Sequence, residues 1–338
     1  MDLTSQKIFD EKGEAVLREV SVRYGFDPTT LKKLGSFESF VYEFHKGEKG
    51  HILKITHSLH RTPGLIKGEL EWVAYLADRG VPAAPVVSSL SDELLEVIGG
   101  QAIDGLGDDY FIAYAFEKAA GRLIRPTDWS DGLFENWGRA LGRIHALTKS
   151  YRPSSKSLRR FEWHEDDSLQ IQRHLPPEQD KVIEKAQALI SRLREWPTDA
   201  DAYGLIHSDF HHGNFFLDAD RITVFDFDDC HYGWFGFDIM IPLFYIMRDA
   251  SVDPDDTVFA RRFFDCFMTG YYREHSVDGG WIRRIPDFMK LREIDLYTVV
   301  YAEEAFDLND WCRRFMKDRR ARIENDVPVV DIDFSQFA

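Results

Sequence analysis

Cysteine is scarce in this chain, and long apolar runs are missing. The three cysteines, Cys230, Cys266 and Cys312, are scattered, odd in number and never spaced as Cys-x-x-Cys. This pattern excludes a disulfide framework and a cysteine zinc site, and it is typical of proteins from a reducing compartment. The longest apolar run, residues 239–247, contains a proline and is too short to cross a bilayer. Because the first ten residues carry no apolar signal-peptide segment, we expect a cytoplasmic protein without a membrane anchor.

Positive charge is also in short supply. The 338 residues carry 42 Lys and Arg against 58 Asp and Glu, which gives a formal net charge of −16 at pH 7. Nucleic acids and anionic membrane surfaces need a basic face, so neither is an expected partner. The acidic balance is compatible with a cationic substrate. With 44% apolar residues, the chain is long enough to form two packed domains.

One stretch in the second half of the chain places polar side chains at the ends of two short apolar runs. Residues 203–206 predict a buried strand that leads into a polar loop holding Asp209 and Asn214. The apolar runs within residues 215–225 predict a hairpin whose second strand ends at Asp226. If this hairpin forms, the two carboxylates and the amide can converge on one pocket.

These three side chains suit the transfer of a phosphoryl group from ATP. That reaction needs positioning and charge neutralisation more than covalent help. Mg²⁺ prefers hard oxygen ligands, so Asn214 and Asp226 are predicted to hold the metal. Asp209 is predicted to be the base that orients the acceptor hydroxyl and takes its proton. The alternative is a buried polar turn whose side chains cap backbone groups, but the ordered set of residues favours the kinase.

The same residues resemble a known family. Residues 207–214, His-Ser-Asp-Phe-His-His-Gly-Asn, resemble the catalytic loop of the aminoglycoside phosphotransferase and choline kinase group. Residues 224–229, Val-Phe-Asp-Phe-Asp-Asp, are similar to that group's counterpart of the kinase Asp-Phe-Gly motif. Asp238 resembles the aspartate that braces the catalytic loop, and His207 is implied to be a second structural support. The style of the motifs is nearest to type II homoserine kinases and bacterial stress response kinases.

The resemblance implies an α+β, two-lobed, protein-kinase-like fold that uses ATP and Mg²⁺. The N-terminal nucleotide-binding lobe, residues 1–116, is expected to hold a small antiparallel sheet, with a helix at 11–24 before it. The C-terminal lobe, residues 117–338, is expected to be larger, mostly helical, and responsible for catalysis and substrate binding.

The family also implies where the nucleotide binds. Residues 34–40 resemble the nucleotide-covering loop in position, and Ser36 is among the residues that could cradle phosphate. Lys54 is implied to be the lysine that binds ATP phosphate, and Glu69 is implied to be its ion-pair partner, with Glu71 as the alternative partner. The alternative for Lys54 itself is a lysine that simply faces solvent. The backbone groups implied to bind adenine belong to one predicted strand: Ala115, Phe116 and Glu117.

Hydrophobic periodicity predicts the remaining elements. Residues 31–56 are expected to form three strands, and residues 110–116 a further buried strand. The predicted helices are 65–76, 133–147, 178–196, 257–272, 281–293 and 296–314. Residues 151–177 are expected to form a long polar loop, which the family resemblance implies to lie near the acceptor, and residues from 318 onward a tail.

Late in the chain, acidic residues at helical spacing lie close to aromatic residues. In related kinases the late helices wall the acceptor site, and carboxylates beside aromatic rings would suit an amine or quaternary ammonium group. The alternative is a solvated acidic helix face. The candidate substrate-binding residues are Glu303, Glu304 and Asp307, near Tyr297, Tyr301 and Trp311.

Several functions remain open at this point. The favoured one is a phosphotransferase that acts on a hydroxyl of a small molecule, such as an amino alcohol, homoserine, a sugar or an aminoglycoside-like compound. The others are a Ser/Thr protein kinase of the stress response type, a nucleotide-binding pseudokinase and a transition-metal hydrolase. The hydrolase would use the histidines and carboxylates of the same stretch: His207, His211, His212, Asp226, Asp228, Asp229 and His231.

Two features depart from the family's pattern. Ser208 stands where many relatives carry glycine. Asp228 belongs to an unusually acidic cluster, and it has two interpretations, a ligand of a second Mg²⁺ or a cap of the turn.

Overall fold

The computed structural model describes residues 3–36, 39–303 and 309–338. The chain forms two compact units. The first contains Met1–Ala120, Tyr151–Arg160 and Thr223–Asp228, and the second contains Gly121–Ser150, Phe161–Ile222 and Asp229–Ala338. Compared with the predicted division after residue 116, the first unit extends further and takes in two later segments. One of these segments carries Asp226, so chain order alone does not assign the candidate residues to a unit.

A six-stranded antiparallel sheet dominates the first unit. Its strands are β1 (Lys32–Ser36), β2 (Phe40–Lys46), β3 (Lys49–His57), β4 (Val86–Val87), β5 (Leu95–Gly99) and β6 (Tyr110–Glu117). β1, β2, β3 and β6 lie side by side in that order, and the other edge of β6 pairs with both β5 and β4. The three strands predicted between residues 31 and 56 are present, as is the predicted strand at 110–116.

Two helices pack in this unit, α1 (Leu3–Tyr24) and α2 (Pro63–Asp78). α1 is longer than the helix predicted at 11–24. Its residues Val16, Val20 and Tyr24 are fully buried in one cluster with the sheet, whereas Ala15, which was expected on the same stripe, is exposed. Burial of each such side chain stabilises the fold by about 1.5–3 kcal/mol. α2 begins after Thr62, whose side chain accepts the N–H of Leu65 as an N-cap.

Helices dominate the second unit. They are α3 (Asp131–Thr148), α4 (Ile171–His174), α5 (Asp180–Arg194), α6 (Phe235–Ile246), α7 (Thr257–Tyr271), α8 (Gly279–Ile282), α9 (Ile285–Ala302), α10 (Asp310–Met316) and α11 (Arg319–Glu324). The helices predicted at 133–147, 178–196 and 257–272 are present with slightly shifted ends.

The prediction of two helices at 281–293 and 296–314 was wrong. α9 runs without interruption through the residues where a break was predicted. The reason is that no glycine or proline stands there, and the buried side chains of Leu291, Ile294 and Thr298 continue one inward-facing stripe. α10 is a separate helix, which begins after its own N-cap, Asn309.

Four short strands carry the candidate catalytic loop and the acidic motif. They are β7 (Tyr203–Ile206), β8 (Phe215–Asp218), β9 (Arg221–Val224) and β10 (His231–Trp234). β7 pairs antiparallel with β10, and β8 with β9 forms the predicted hairpin. The chain enters the first unit within β9, where the N–H of Val224 donates to Pro82 O at 2.7 Å and its carbonyl accepts Ala84 N–H at 2.8 Å. These bonds fix the strand end that presents Asp226.

The chain after Asp318 is not the predicted tail. The guanidinium of buried Arg319 lies 2.5 Å from Glu293, and Phe334 is buried edge-on against Phe264, with ring centroids 5.3 Å apart. The prediction overlooked a short alternating pattern, because the buried side chains of Val330, Ile332 and Phe334 stand at every second residue between aspartates. Within the described ranges, no helix combines the length and apolar character needed to cross a membrane.

Candidate active site

A buried aspartate at the start of α6 holds the predicted catalytic loop. Asp238 accepts the backbone N–H of His207 at 2.9 Å and that of Ser208 at 2.8 Å. Its Oδ2 also lies 3.0 Å from His145 Nε2, and His145 Nδ1 lies 2.8 Å from the hydroxyl of Tyr271. Burial opposes the charge of Asp238, but the hydrogen bonds and charge of His145 outweigh it and lower the pKa of the carboxyl. The loop therefore starts from a fixed, anionic anchor.

The backbone of this loop explains the departure at residue 208. Ser208 has φ +70°, a left-handed conformation that glycine adopts without strain and other residues adopt rarely. Glycine in relatives would suit this position. Here serine is held in the strained conformation by the hydrogen bond between its N–H and Asp238.

The predicted base, Asp209, is surrounded by donors within the second unit. Asn214 Nδ2 donates to Asp209 Oδ2 at 3.0 Å and to its backbone oxygen at 2.8 Å. His211 Nδ1 accepts the N–H of Gly213, so its Nε2 carries the proton that faces Asp209 Oδ2 at 3.3 Å. Arg292 Nη2 donates to Asp209 Oδ1 at 2.8 Å. Burial opposes ionisation, but His211, Arg292 and His207 outweigh it and hold the pKa of Asp209 well below its ordinary value.

Asn214 is oriented in a way that suits a metal ligand. Both contacts of its side chain with Asp209 use the amide nitrogen, which turns the amide oxygen away from the base. An amide oxygen is a hard donor of the kind that Mg²⁺ prefers. The second predicted ligand, Asp226, has Oδ1 bound to Lys54, while 47% of its side chain is exposed. Each residue thus has an oxygen that fits a divalent metal ion.

In the first unit, Lys54 and Asp226 form an ion pair with Nζ and Oδ1 2.7 Å apart. Burial disfavours the ammonium, but neighbouring carboxylates, first Asp226, hold the pKa of Lys54 well above its ordinary value. Lys54 is therefore a buried, charged lysine and does not face solvent. Asp226 has φ +66°, so a second residue of the predicted machinery adopts a left-handed backbone conformation.

Glu69 differs from its predicted role as the ion-pair partner of Lys54. It is fully buried on α2, and neither carboxylate oxygen has a hydrogen-bond partner in the part of the chain that the structure describes. Burial, together with the charge of Asp228, raises the pKa of Glu69 to about 8. Glu69 is consequently protonated at neutral pH while Lys54 pairs with Asp226. Glu71, the alternative partner, accepts hydrogen bonds from Ser154.

Asp228 is enclosed by basic side chains. Only 4% of its side chain is exposed, and its oxygens lie 3.4 Å from His60 Nε2 and 3.6 Å from Arg61 Nε. The backbone oxygen of Asp228 accepts a hydrogen bond from the guanidinium of buried Arg160. Burial opposes the charge, but Arg61 and His60 keep the pKa of Asp228 well below its ordinary value. This arrangement favours a structural anchor for the turn over the second-metal interpretation.

The predicted adenine site coincides with a fully paired strand. Ala115 and Phe116 of β6 pair with β3 on one side and β4 on the other. The N–H of Glu117 donates to Pro85 O at 2.8 Å, so this amide is engaged within the unit's own backbone. Adenine binding by the other two residues stays a prediction. Ser36 ends β1, and residues 37–38 of the predicted nucleotide-covering loop lie outside the described residues.

The predicted acceptor-binding residues are only partly described. Glu303 is exposed at the C-terminal end of α9, whereas Glu304 and Asp307 lie outside the described residues. The structure instead places Arg292 against Asp209, and Tyr245 and Asp295 bind Arg292 in turn. None of these three residues was predicted. An arginine on a helix with mixed polar and apolar residues carries no sequence signal that separates it from a solvated one.

The transition-metal alternative receives no support. No group of three or more His, Cys, Asp or Glu side chains within residues 3–36, 39–303 and 309–338 is arranged to hold a metal ion. The seven residues of that alternative are also divided between the two units. Several have other partners: Asp228 contacts His60, and His211 contacts Asp209.

Comparison with known proteins decides the family. The sequence profile of the phosphotransferase enzyme family matches residues 30–275, which include the candidate catalytic loop and the acidic motif. The chain belongs to this family. Amicoumacin kinase of Bacillus subtilis (strain 168) is 39% identical over 334 residues, which cover 98% of this chain and 97% of the relative.

Solved structures agree with this membership. An amicoumacin kinase in complex with AMP-PNP, Ca²⁺ and Ami superposes with a TM-score of 0.89 at 33% identity, covering 96% of this chain and 97% of the other. A microcompartment-associated aminopropanol kinase superposes with a TM-score of 0.71 at 21% identity over 92% and 98% of the two chains, which shows the fold alone. The predicted family, fold class and enzyme class, a phosphotransferase with an alcohol group as acceptor, are confirmed. The predicted cofactors, ATP with a divalent metal ion, are confirmed at the level of the family.

Proposed function

We propose that this protein is an ATP- and Mg²⁺-dependent kinase that phosphorylates a hydroxyl group of amicoumacin. The observation that carries the acceptor is the 39% identity to the amicoumacin kinase of Bacillus subtilis, which extends over nearly the whole of both chains. Such full-length similarity includes the helices of the second unit, where an acceptor would be selected, as well as the catalytic motifs. No observation favours a protein substrate.

The geometry of the second unit supports Asp209 as the residue that orients the acceptor. Its side chain is 18% exposed, and its anionic carboxylate is held through both oxygens by Asn214, His211 and Arg292. A strongly held carboxylate of low pKa is a weak base, but phosphoryl transfer through a loose transition state needs an oriented hydroxyl more than early proton removal. Asp209 would accept the hydroxyl proton late, when the new P–O bond has formed.

Asn214 and Asp226 are proposed to hold Mg²⁺, and Lys54 to bind a phosphate oxygen of ATP. The metal, when bound, neutralises charge on the phosphates. Lys54 is already charged in its buried position through its contact with Asp226, so it needs no proton uptake when a phosphate arrives. Glu69 is proposed to take part in nucleotide binding through its proximity to Lys54.

The test is direct phosphorylation. The purified protein is incubated with Mg-ATP and amicoumacin, and the product is identified by mass spectrometry while ADP release is followed in parallel. Homoserine, aminopropanol and spectinomycin serve as competing acceptors, because kinases for these compounds are among the relatives and solved structures. Asp209→Asn, which preserves the shape of the side chain, should abolish product formation while the protein remains folded.

Two outcomes would contradict the proposal. If another acceptor in the panel is phosphorylated far faster than amicoumacin, the assigned acceptor is wrong although the reaction class stands. If labelled phosphate from ATP appears in protein and in none of the small molecules, the protein-kinase alternative replaces it.

A further inference from the structure

An arginine on α9 lies directly against the proposed catalytic carboxylate. Arg292 Nη2 donates to Asp209 Oδ1 at 2.8 Å and to the hydroxyl oxygen of Tyr245 at the same distance. Its side chain is only 11% exposed. The contact joins two elements that are far apart in sequence, the catalytic loop and a late helix.

Arg292 is itself held by a second carboxylate. Its Nη1 donates to Asp295 Oδ2 at 2.9 Å, one helical turn further along α9. The other oxygen of Asp295 accepts a hydrogen bond from the hydroxyl of Ser168 at 2.6 Å. Ser168 belongs to the polar segment between α3 and α5, and its hydroxyl also contacts Asp166 at 2.9 Å. A continuous hydrogen-bonded chain therefore leads from this segment through Asp295 and Arg292 to Asp209.

The planar guanidinium explains why this hydrogen-bonded network needs an arginine at position 292. Nη2 of the guanidinium binds Asp209 and Tyr245, and Nη1 binds Asp295. Because the guanidinium is rigid and planar, it fixes the distance and angle between the two carboxylates. Lysine offers a point charge at the end of a flexible stem and cannot span these partners with the same geometry. Oxygen Oδ1 of Asp209 is thus oriented by Arg292, while Oδ2 is oriented by Asn214 and His211.

We propose that Arg292 is a positioning residue for phosphoryl transfer, which holds Asp209 in the orientation that receives the acceptor hydroxyl, and that Asp295 and Ser168 hold Arg292. The inference rests on the proposed function, since it gives Asp209 its role. A displacement of about 1 Å in a reacting group can lower the rate by roughly 100-fold. The contribution of Arg292 should accordingly be seen in kcat and not in the affinity for ATP.

The first experiment measures steady-state kinetics and chemical rescue. Arg292→Ala should lower kcat for the acceptor by about 100-fold with an unchanged KM for ATP. Added guanidinium, at concentrations that do not denature the protein, should restore a part of kcat by occupying the vacated site. Arg292→Lys should retain less activity than the wild type and should not respond to guanidinium. The matched control is Arg139→Ala, which removes an arginine from a comparable 2.8 Å ion pair with Glu274 on a side chain that is 60% exposed.

The order of effects along the chain is a second prediction of the same proposal. Asp295→Asn weakens the support of Arg292 and should lower kcat less than Arg292→Ala does. Ser168→Ala removes the hydroxyl that contacts Asp295 and Asp166, three links away from the base, and should have the smallest effect. An Arg292→Ala variant that keeps full kcat overturns the positioning role. A failure of guanidinium to restore any kcat in Arg292→Ala, or an equally large stimulation of Arg139→Ala by guanidinium, also overturns it.

An unfolding experiment separates this inference from the proposed function, because it needs no acceptor. Thermal unfolding is compared for Arg292→Ala, Asp209→Ala and the double variant. Coupled shifts in melting temperature support the contact, and additive shifts overturn it. If the wild-type protein phosphorylates none of the acceptors, the proposed function fails, and the unfolding data alone then decide whether Arg292 holds Asp209. Coupling together with an unchanged kcat in Arg292→Ala would make the pair merely structural and would also overturn the proposal.

Discussion

Ser208 and Asp226 adopt strained backbone conformations, which lower the stability of the folded protein. Both have positive φ, at +70° and +66°, and both lie within the motifs that are proposed to carry phosphotransfer. A non-glycine residue in this conformation costs about 1–2 kcal/mol. The fold holds Ser208 there because Asp238 accepts its N–H within a buried network.

Ser208→Gly should raise the stability of the protein. Relief of the left-handed strain is worth about 1–2 kcal/mol, and the greater freedom of glycine in the unfolded chain costs about 0.5–1 kcal/mol. The free energy of unfolding should therefore increase by up to about 1.5 kcal/mol, as measured by urea denaturation. Ser208→Ala keeps the strain and serves as the control, so a glycine variant that is less stable than the alanine variant would contradict this account.

Glu69 is a residue whose burial makes stability depend on pH. Burial raises the pKa of Glu69 to about 8, whereas in the unfolded chain the carboxyl has its ordinary value of about 4.5. Between these values the folded state binds more protons than the unfolded state, so stability falls as pH rises through this window. Below the lower value the two states are equally protonated, and above the upper value the loss is complete.

Glu69→Gln should remove this dependence. The variant should be more stable than the wild type at pH 9, and the difference should shrink as the pH falls towards 5, with a slope of at most about 1.4 kcal/mol per pH unit. Urea denaturation across this range measures it. Glu14→Gln removes the same charge from a side chain that is 90% exposed and should follow the wild-type profile. A parallel offset at all pH values would mean that Glu69 is paired in the folded protein.

Sequence alone singled out candidate residues that form an ordered set, and it missed contacts that come from distant elements. Asp209, Asn214 and Asp226 could be singled out because they follow short apolar runs, and their roles stay predictions. The ion-pair partner of Lys54 could not be predicted. Lys54 pairs with Asp226 and not with Glu69 because the segment that carries Asp226 returns to the first unit more than a hundred residues later. The same limit hid Arg292, whose role depends on how α9 packs against the catalytic loop.

At the scale of elements, the close approach of α3 and α7 depends on glycine. A Cβ atom on Gly138 would lie 1.8 Å from the backbone oxygen of Phe267, and one on Gly270 would lie 1.9 Å from that of Glu135. Each helix thus presents a bare backbone to the other. α3 also carries His145, so this packing helps to set the support of the catalytic loop.

Gly138→Ala should destabilise the protein by about 1–3 kcal/mol, because the methyl group forces the two helices apart. Gly132→Ala, in the first turn of the same helix, meets no atom within 4 Å and should stabilise by about 0.4–1 kcal/mol through reduced freedom of the unfolded chain. Urea denaturation of the two variants compares the same chemical change in two environments. Equal effects would show that the helices can separate at no cost.

Elements with a strong period were predictable, and elements defined by packing were not. The apolar stripe of α3 and the short apolar run of β3 indicated helix and strand directly. The uninterrupted course of α9 was missed because its buried residues, such as Glu293 and Thr298, include polar ones that a hydrophobic pattern does not count. α11 was missed for the same reason, since its burial depends on the pairing of Arg319 with Glu293.

At the scale of the whole molecule, neither unit is a single continuous stretch of the chain. The chain alternates between the units, and the first unit is completed only by residues 223–228. As a result, the residues proposed for the nucleotide, Lys54 and Asp226, belong to the first unit, and the proposed base, Asp209, belongs to the second. Substitutions in the two sets should therefore separate nucleotide binding from acceptor chemistry.

Stabilisation by Mg-ATP measures this separation. A ligand that binds only the folded state at 100 times its Kd adds about 2.7 kcal/mol to the free energy of unfolding. The wild type and Asp209→Asn should gain a similar increment in melting temperature from Mg-ATP, although only the wild type turns over. Lys54→Ala should gain much less, since it lacks the cation proposed to bind phosphate. The readout is the increment that the ligand adds, because removal of Lys54 also leaves Asp226 without its partner and changes the unliganded melting temperature. An equal increment in Lys54→Ala would show that ATP is bound without this lysine, and a lost increment in Asp209→Asn would place the base among the nucleotide contacts.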